Sequence, residues 1–407
     1  VLPGRFLVGA VAVPCNHRFQ TAEVVFAVNH CGASVLLVDG PLLPVVEAIG
    51  PQAPSLTGIY VYGDAPADAA NPWAAVVAAA PADTVLPTVA DDEPAMILYT
   101  SGSTGKPKGV THTHASVLDV ARGRGITQEL TADDVSLAAT AICHGGGSIG
   151  VTFPTLLAGG TVVLLEESVA QLFLDAVVAH RPTRTLVLPA QLLDALRAPG
   201  AKDVDFTFLR EVQCGGDQIS PELYTEFAAV TDLKLNQAYG LTECEGVAMN
   251  PPFGEIRRGS VGTPRHGVTL RIMGDNSVAA VGKTGEIQVR AASVMSGYWD
   301  DPENTAAAFV DGWLRTGDLG SRDADGYLSL SGVVGSPDER LGAIVHAFVE
   351  FEPGATTTID ELAAFARSKL AAYKVPEKWT VVGDLPRNAV GKIDRQALHR
   401  RAIALDK

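Results

Sequence analysis

No apolar run in this sequence approaches the length that a membrane span needs, and no secretory signal pattern stands at its first residues. An integral membrane protein is therefore not expected. Cysteine is scarce: Cys15, Cys31, Cys143, Cys214 and Cys244 are scattered, odd in number and without a CxxC pair. That spacing argues against a disulfide framework or a zinc site and for reduced thiols in the cytoplasm. Basic charge is short as well, with 31 Lys and Arg against 46 Asp and Glu and a net charge of -15. A nucleic-acid partner needs a basic face, so the balance speaks against one. The surface acidity mainly supports solubility.

What is present suits an α/β enzyme. At 407 residues and 47% hydrophobic content the chain can bury a large core and is expected to form more than one domain. Short apolar runs bounded by Gly, Pro or polar residues recur at Ala33–Val38, Ile59–Tyr62, Thr161–Leu165 and Thr185–Leu188. They predict largely parallel sheets covered by helices. Residues 63–94, rich in Ala, Asp and Pro, read as a connection between units, and residues 259–330 turn to punctuated strands that suit a β-barrel-like subdomain. The expected division is a large domain over 1–332 and a small α+β lid over 333–407. In the latter, Thr358-Ile-Asp-Glu361 forms a capping box, Ile359, Leu362, Phe365 and Ala366 share an apolar face, and Trp379 to Val382 read as a strand before a final basic helix. No internal repeat is visible.

One stretch carries chemistry on its own. Tyr99-Thr-Ser-Gly-Ser-Thr-Gly-Lys-Pro-Lys-Gly109 follows the apolar strand Ala95–Tyr99 and precedes a helix predicted over His112–Arg122. Its glycines let backbone N–H groups approach an anion, its hydroxyls donate, and Lys106 and Lys108 supply charge, so the loop is built to hold phosphate. A Walker-type P-loop does not fit, because Gly102 and Gly105 are too close and Pro107 follows Lys106.

With four further blocks in order, the chain resembles the adenylate-forming superfamily of acyl- and aryl-CoA synthetases, peptide-synthetase adenylation domains and luciferase-like enzymes. The blocks are Gly215-Gly216-Asp217, Gln237-Ala-Tyr-Gly-Leu-Thr-Glu243, Gly312-Trp-Leu-Arg-Thr-Gly-Asp318 and Leu385-Pro-Arg-Asn-Ala-Val-Gly-Lys-Ile-Asp394, and together they cover nearly the whole chain. The resemblance implies that ATP activates a carboxylic acid as an acyl-adenylate, with Mg2+ and then coenzyme A, or phosphopantetheine on a carrier protein, taking part. It implies that Thr100, Ser101, Gly102, Ser103, Thr104, Gly105 and Lys108 hold phosphate and that Thr242 touches the α-phosphate. Glu243 is then the magnesium ligand, Tyr239, Gly240, Gly215, Gly216 and Asp217 surround adenine, Asp318 takes the ribose hydroxyls, and Lys392 bridges carboxylate and α-phosphate. In the family the small domain then rotates and withdraws that lysine before the thiol attacks.

His144 is implied to lie beside the substrate carboxylate, with Gly145, Gly146, Cys214 and Ala238 in the acyl pocket. That pocket is expected to draw on 145–150, 189–192, 212–215 and 236–240. Amino-acid-activating relatives usually place an aspartate near the His144 position; Ala141 to Ile149 hold no acid, so a non-amino acid is expected. An aryl acid and a medium-chain fatty acid remain open, as does the oligomeric state.

Two departures from the family stand out. Its members carry a further stretch after Leu330, with a hinge, a ribose-contacting arginine and a loop lining the thiol tunnel, whereas here Gly332 runs straight into Val333. The opening Val1–Gly9 looks like two family segments joined. Residues joined over gaps are the expected explanation, the hinge being where order is lost. Three readings follow: an acyl- or aryl-CoA ligase, a stand-alone enzyme loading a carrier protein, or a non-catalytic nucleotide-binding protein.

Overall fold

The β-branched and apolar runs that punctuate the sequence become strands, and the amphipathic stretches between them cover those strands. The computed structural model describes residues 6–63, 71–81, 84–100, 107–167, 169–216, 219–251, 254–274, 277–330, 336–338, 342–344, 346–349, 358–369, 375–383, 398, 401–402 and 405. Near the N-terminus β1 (Val35–Asp39) pairs in parallel with β2 (Gly58–Tyr62). The stretch read as a connection after β2 contains a short helix, Trp73–Ala79.

β3 (Pro94–Thr100) and β4 (Lys108–Thr113) pair antiparallel, with Thr100 opposite Lys108. The loop between them therefore joins two strands, not a strand and a helix. The helix predicted from His112 starts two residues later and spans His114–Gln128, because Val110, Thr111 and His112 are claimed by the sheet and buried there. Thr113 caps it, its Oγ1 accepting from the Ser116 amide at 3.1 Å.

The central sheet contains β5 (Val135–Ala138), β6 (Thr161–Leu164), β7 (Arg184–Val187), β8 (Glu211–Gly215), β9 (Asn236–Leu241), β10 (Cys244–Met249) and β11 (Thr263–Pro264) in the order β11-β10-β9-β8-β7-β5-β6. Strands β5 to β9 run parallel, and β10 and β11 return antiparallel at one edge. Helices Ala170–His180, Pro189–Arg197 and Pro221–Val230 seal one face, packing Phe173, Val177, Leu193, Leu223 and Phe227 on Leu137, Val187, Val212 and Cys214. Each such side chain removed from water contributes about 1.5–3 kcal/mol.

Beyond it, β12 (Thr269–Met273), β13 (Gly285–Arg290), β15 (Phe309–Val310), β16 (Trp313–Arg322) and β17 (Leu328–Leu330) form an antiparallel half-barrel around Ile272, Ile287, Val289 and Leu314. Between them in sequence, β14 (Gly297–Tyr298) leaves this sheet and pairs with β4. In the C-terminal region β18 (Ser336–Asp338) pairs with β19 (Gly342–Ile344), and β20 (His346–Val349) pairs in parallel with β21 (Lys378–Val381). The helix Ile359–Lys369 carries the expected capping box: the Glu361 amide donates to Thr358 Oγ1 at 3.3 Å and Thr358 N–H to Glu361 Oε2 at 2.8 Å. The side chain of Phe365, the Gly332–Val333 junction and most of the expected final helix lie outside the described residues.

Candidate active site

Strand β9 and the turn into β10 gather one block of the motif residues. Ala238 pairs with Gly215 of β8, Tyr239 and Gly240 follow, and Thr242 and Glu243 make the turn. The Thr242 carbonyl accepts from His112 Nε2 at 2.8 Å, which fixes the ring with Nε2 protonated. Burial holds His112 below the usual histidine range, only partly offset by that bond. A side chain at Gly240 would meet the Gly246 amide nitrogen at 2.6 Å, so the closeness of the two strands admits glycine alone.

Two tyrosines connect motif residues that are distant in sequence. Tyr298 Oη donates to Glu243 Oε1 at 2.8 Å, and the Lys108 ammonium lies 4.6 Å from the centre of the same ring. Lys108 Nζ also donates to Asn304 Oδ1 at 2.8 Å, and Asn304 is itself held by Asp301. Tyr239 Oη donates to Asp318 Oδ2 at 2.7 Å. Burial first, then Asp318, pushes the Tyr239 hydroxyl well above the ordinary phenol range; burial and then Glu243 do the same for Tyr298. Both hydroxyls therefore stay protonated as donors wherever the carboxylates are ionised. Asp318 is exposed on β16, its amide donating to Thr316 Oγ1 at 3.1 Å beside Gly317 at φ +77°.

The structure thus brings Thr100, Lys108, Glu243 and Thr242 into one connected network through β3, β4 and β14, and Tyr239 with Asp318 into a second on the same β9 segment. Ser101, Gly102, Ser103, Thr104 and Gly105, with Asp217 and Lys392, lie outside the described residues. Among the described residues no trio of His, Cys, Asp or Glu side chains gathers into a metal cage. Glu243 fits a hard cation all the same, since Tyr298 occupies one carboxylate oxygen and the other remains for a metal that takes phosphate and water as its other ligands.

His144 is exposed and opens a short helical turn, Gly145–Gly147, with Asn16 Nδ2 at 3.3 Å from its Nε2. The glycines behind it differ in what surrounds them. A Cβ on Gly147 would collide with the carbonyl oxygens of Thr140 and Ala141 at 2.5 Å, whereas one on Gly146 would meet only Leu186 at 3.6 Å. At Gly145 the nearest atom is Glu245 Oε2 at 3.1 Å. The expectation of no acid near His144 is therefore corrected: the acid arrives from β10, across the sheet, where a local reading of 141–149 could not find it. Arg124 Nη1 stands 3.8 Å from Glu245 Oε1, an ion pair too long for a hydrogen bond.

Comparison with known proteins agrees with this arrangement. The family model described as AMP-binding enzyme matches residues 3–299, and that for the AMP-binding enzyme C-terminal domain matches 330–392. The chain belongs to the AMP-binding enzyme family. Its relatives include a fatty acid–[acyl-carrier-protein] ligase, ScoC, of Streptomyces coeruleorubidus, 33% identical over 97% of this chain and 82% of that protein. An indoleacetate–CoA ligase of Aromatoleum aromaticum is 32% identical over 95% and 82%. Among solved structures, the amide bond synthetase McbA from Marinactinospora thermotolerans is 26% identical with a TM-score of 0.82, covering 98% of this chain and 87% of McbA. Like the curated CoA ligases it matches, this AMP-binding enzyme is an AMP-forming acid–thiol ligase.

Sequence reasoning passed over Tyr298, Asn304, His112 and Glu245. The only signal for the first two was the run Ser296-Gly-Tyr-Trp-Asp-Asp-Pro-Glu-Asn304, dense in turn and polar residues after an apolar strand.

Proposed function

We propose that the enzyme joins ATP and a non-amino carboxylic acid into an acyl-adenylate and pyrophosphate, and then passes the acyl group to the thiol of coenzyme A, releasing AMP. A carboxylate is a poor acyl donor, because its leaving group would be oxide. Its oxygen attacks the α-phosphorus, the bond to the bridging oxygen breaks, and pyrophosphate leaves with that electron pair. The protein's work is to neutralise charge on the phosphoryl oxygens and to fix the nucleotide. In this reading Lys108, on its Tyr298 and Asn304 supports, meets the β- and γ-phosphates with Thr100 to Gly105, and Asp318 accepts from the ribose hydroxyls. Glu243 would hold Mg2+, which when bound offsets phosphate charge. Thr242 would face the α-phosphate, and Tyr239 with Gly215 to Asp217 the base. His144 would stand beside the substrate carboxylate, and Lys392 would bridge it to the α-phosphate.

The observation that carries the reading is the sharing of Tyr298 by Lys108 and Glu243, a cation for phosphate and a carboxylate for metal on opposite parts of one ring. A non-amino acid is preferred because the carboxylate beside Gly145, Glu245, stands opposite Arg124, whose positive charge would oppose a substrate ammonium. A carrier protein as acceptor is the second reading, favoured by the resemblance to the fatty acid–[acyl-carrier-protein] ligase. The free cysteines accord with a reducing cytoplasm. Among the described residues no helix is long and apolar enough to cross a membrane.

ATP–pyrophosphate exchange across a panel of carboxylic acids tests the proposal, and exchange with none of them sinks it. Offering CoA and a holo-carrier protein separately then separates the acceptors. Lys392→Ala is expected to abolish adenylate formation while leaving transfer from preformed acyl-adenylate largely intact; equal loss of both steps removes that role.

A further inference from the structure

Glu245 is a carboxylate that the mechanism above does not use. It stands two residues past Glu243 on β10 and reaches back to the turn behind His144. A Cβ on Gly145 would lie 3.1 Å from its Oε2 and one on Gly150 would lie 2.9 Å from its Oε1, so two glycines leave the carboxylate its room. The charge opposite is Arg124, whose Nη1 is 3.8 Å away, beyond hydrogen-bond length. Arg124 is spent elsewhere: Nη2 donates to Gln213 Oε1 at 2.7 Å, Nε is buried with no partner, and only 2% of the side chain is exposed. Glu245 keeps 13% exposure, so the carboxylate is within reach of a ligand and the arginine is not. Gly150, Arg124, Gln213, Arg184 and Leu186 line a separate cavity of about 20 Å³, to which Glu245 does not contribute.

We propose that Glu245, backed by Arg124, is the polar far wall of the acyl pocket and selects acids whose tail ends in a neutral hydrogen-bond donor such as a hydroxyl, an amide or a ring N–H. This rests on the reading of the site as an acyl-adenylating centre. Three considerations carry it. The carboxylate packs against Gly145, the residue after His144, in the turn that follows the carboxyl end of β5, and α/β sheets bind ligands outside the carboxyl ends of their strands. A hydrocarbon tail pressed on it would strip its water and return no hydrogen bond. An ammonium tail would gain from Glu245 but meet the positive charge of Arg124.

The test compares kcat/KM in ATP–pyrophosphate exchange for matched acids: 3-phenylpropanoic against 3-(4-hydroxyphenyl)propanoic, and hexanoic against 6-hydroxyhexanoic and 6-aminohexanoic. The wild-type enzyme is expected to favour the hydroxyl-bearing member of a pair by about tenfold or more, the worth of one hydrogen bond to a buried charge. Glu245→Leu is expected to reverse that ratio and raise kcat/KM for the hydrocarbon acid severalfold. Glu245→Gln, which keeps the shape should the leucine variant fail to fold, is expected to shrink the ratio without reversing it. Hydrocarbon acids, or the amino acid of the series, used by wild type as well as the hydroxyl acids would overturn this inference while leaving acyl-adenylation standing, and so would ratios unchanged in both variants. No exchange with any acid by folded wild-type protein would overturn both.

Discussion

The hydroxyl of Tyr298 donates to Glu243 Oε1 at 2.8 Å, tying the short strand β14 to the turn after β9. The same ring carries the Lys108 ammonium at 4.6 Å, so one side chain sets the position of both a cation and an anion. Neither of its neighbours can shift without disturbing the other's support.

Tyr298→Phe keeps the ring and removes the bond. A hydrogen bond to a charged group contributes about 1.5–3 kcal/mol, so the Mg2+ concentration for half-maximal pyrophosphate exchange is expected to rise about tenfold or more. The thermal midpoint should move little, since the hydroxyl is at the edge of the core. A Mg2+ titration unchanged in the variant would remove Tyr298 from any part in positioning Glu243.

Asp318 depends on Tyr239 in the same way, through the 2.7 Å bond between Tyr239 Oη and Asp318 Oδ2. Tyr239→Phe leaves an exposed carboxylate free to rotate, and the ribose contact it is proposed to make loses its preset geometry. KM for ATP is expected to rise severalfold with a smaller fall in kcat, the pattern of lost ground-state binding. Equal falls in kcat and kcat/KM would instead place the tyrosine in the chemical step.

Much of this was legible in the chain. Apolar runs between glycines and prolines located β1, β2, β3, β6 and β7 to within a residue or two, and the Thr358–Glu361 box marked a helix start that the structure contains. Two kinds of information were not local. His112 looked helical by its neighbourhood, yet pairing of β4 with β3 on one side and β14 on the other drew residues 108–113 into the sheet. The partners Tyr298 for Glu243 and Glu245 for Gly145 depend on which strands lie side by side, and nothing in the spacing of either residue announces that. The short motifs survive in sequence because each must present several groups to one ligand; their supports can come from anywhere that the fold brings near.

The glycines behind His144 separate by substitution. Gly147→Ala would drive a methyl to 2.5 Å from two carbonyl oxygens with only backbone to yield, and a loss of about 2–3 kcal/mol is expected, seen as a lowered thermal midpoint together with lost activity. Gly146→Ala meets a single leucine methyl at ordinary contact distance, 3.6 Å, and should fold like the parent. Equal thermal midpoints for the two variants would refute the assignment.

His112 gives the fold a pH dependence whose sign can be worked out. Buried between β4 and the Thr242 carbonyl, it is held below its ordinary value of 6.5. The unfolded chain therefore takes up a proton near pH 6.5 that the folded chain refuses until lower pH. Stability from this residue is complete above the unfolded value and is lost as pH falls from there through the folded value. Urea midpoints measured at pH 7.5, 6.5 and 5.5 should decline on the acid side, and His112→Asn, less stable at pH 7.5, should decline less over the same interval. Carboxylates elsewhere contribute to the slope of both proteins, so the difference between the two curves isolates the histidine; parallel curves would mean that His112 titrates alike in the folded and unfolded chain and gives the fold no pH dependence.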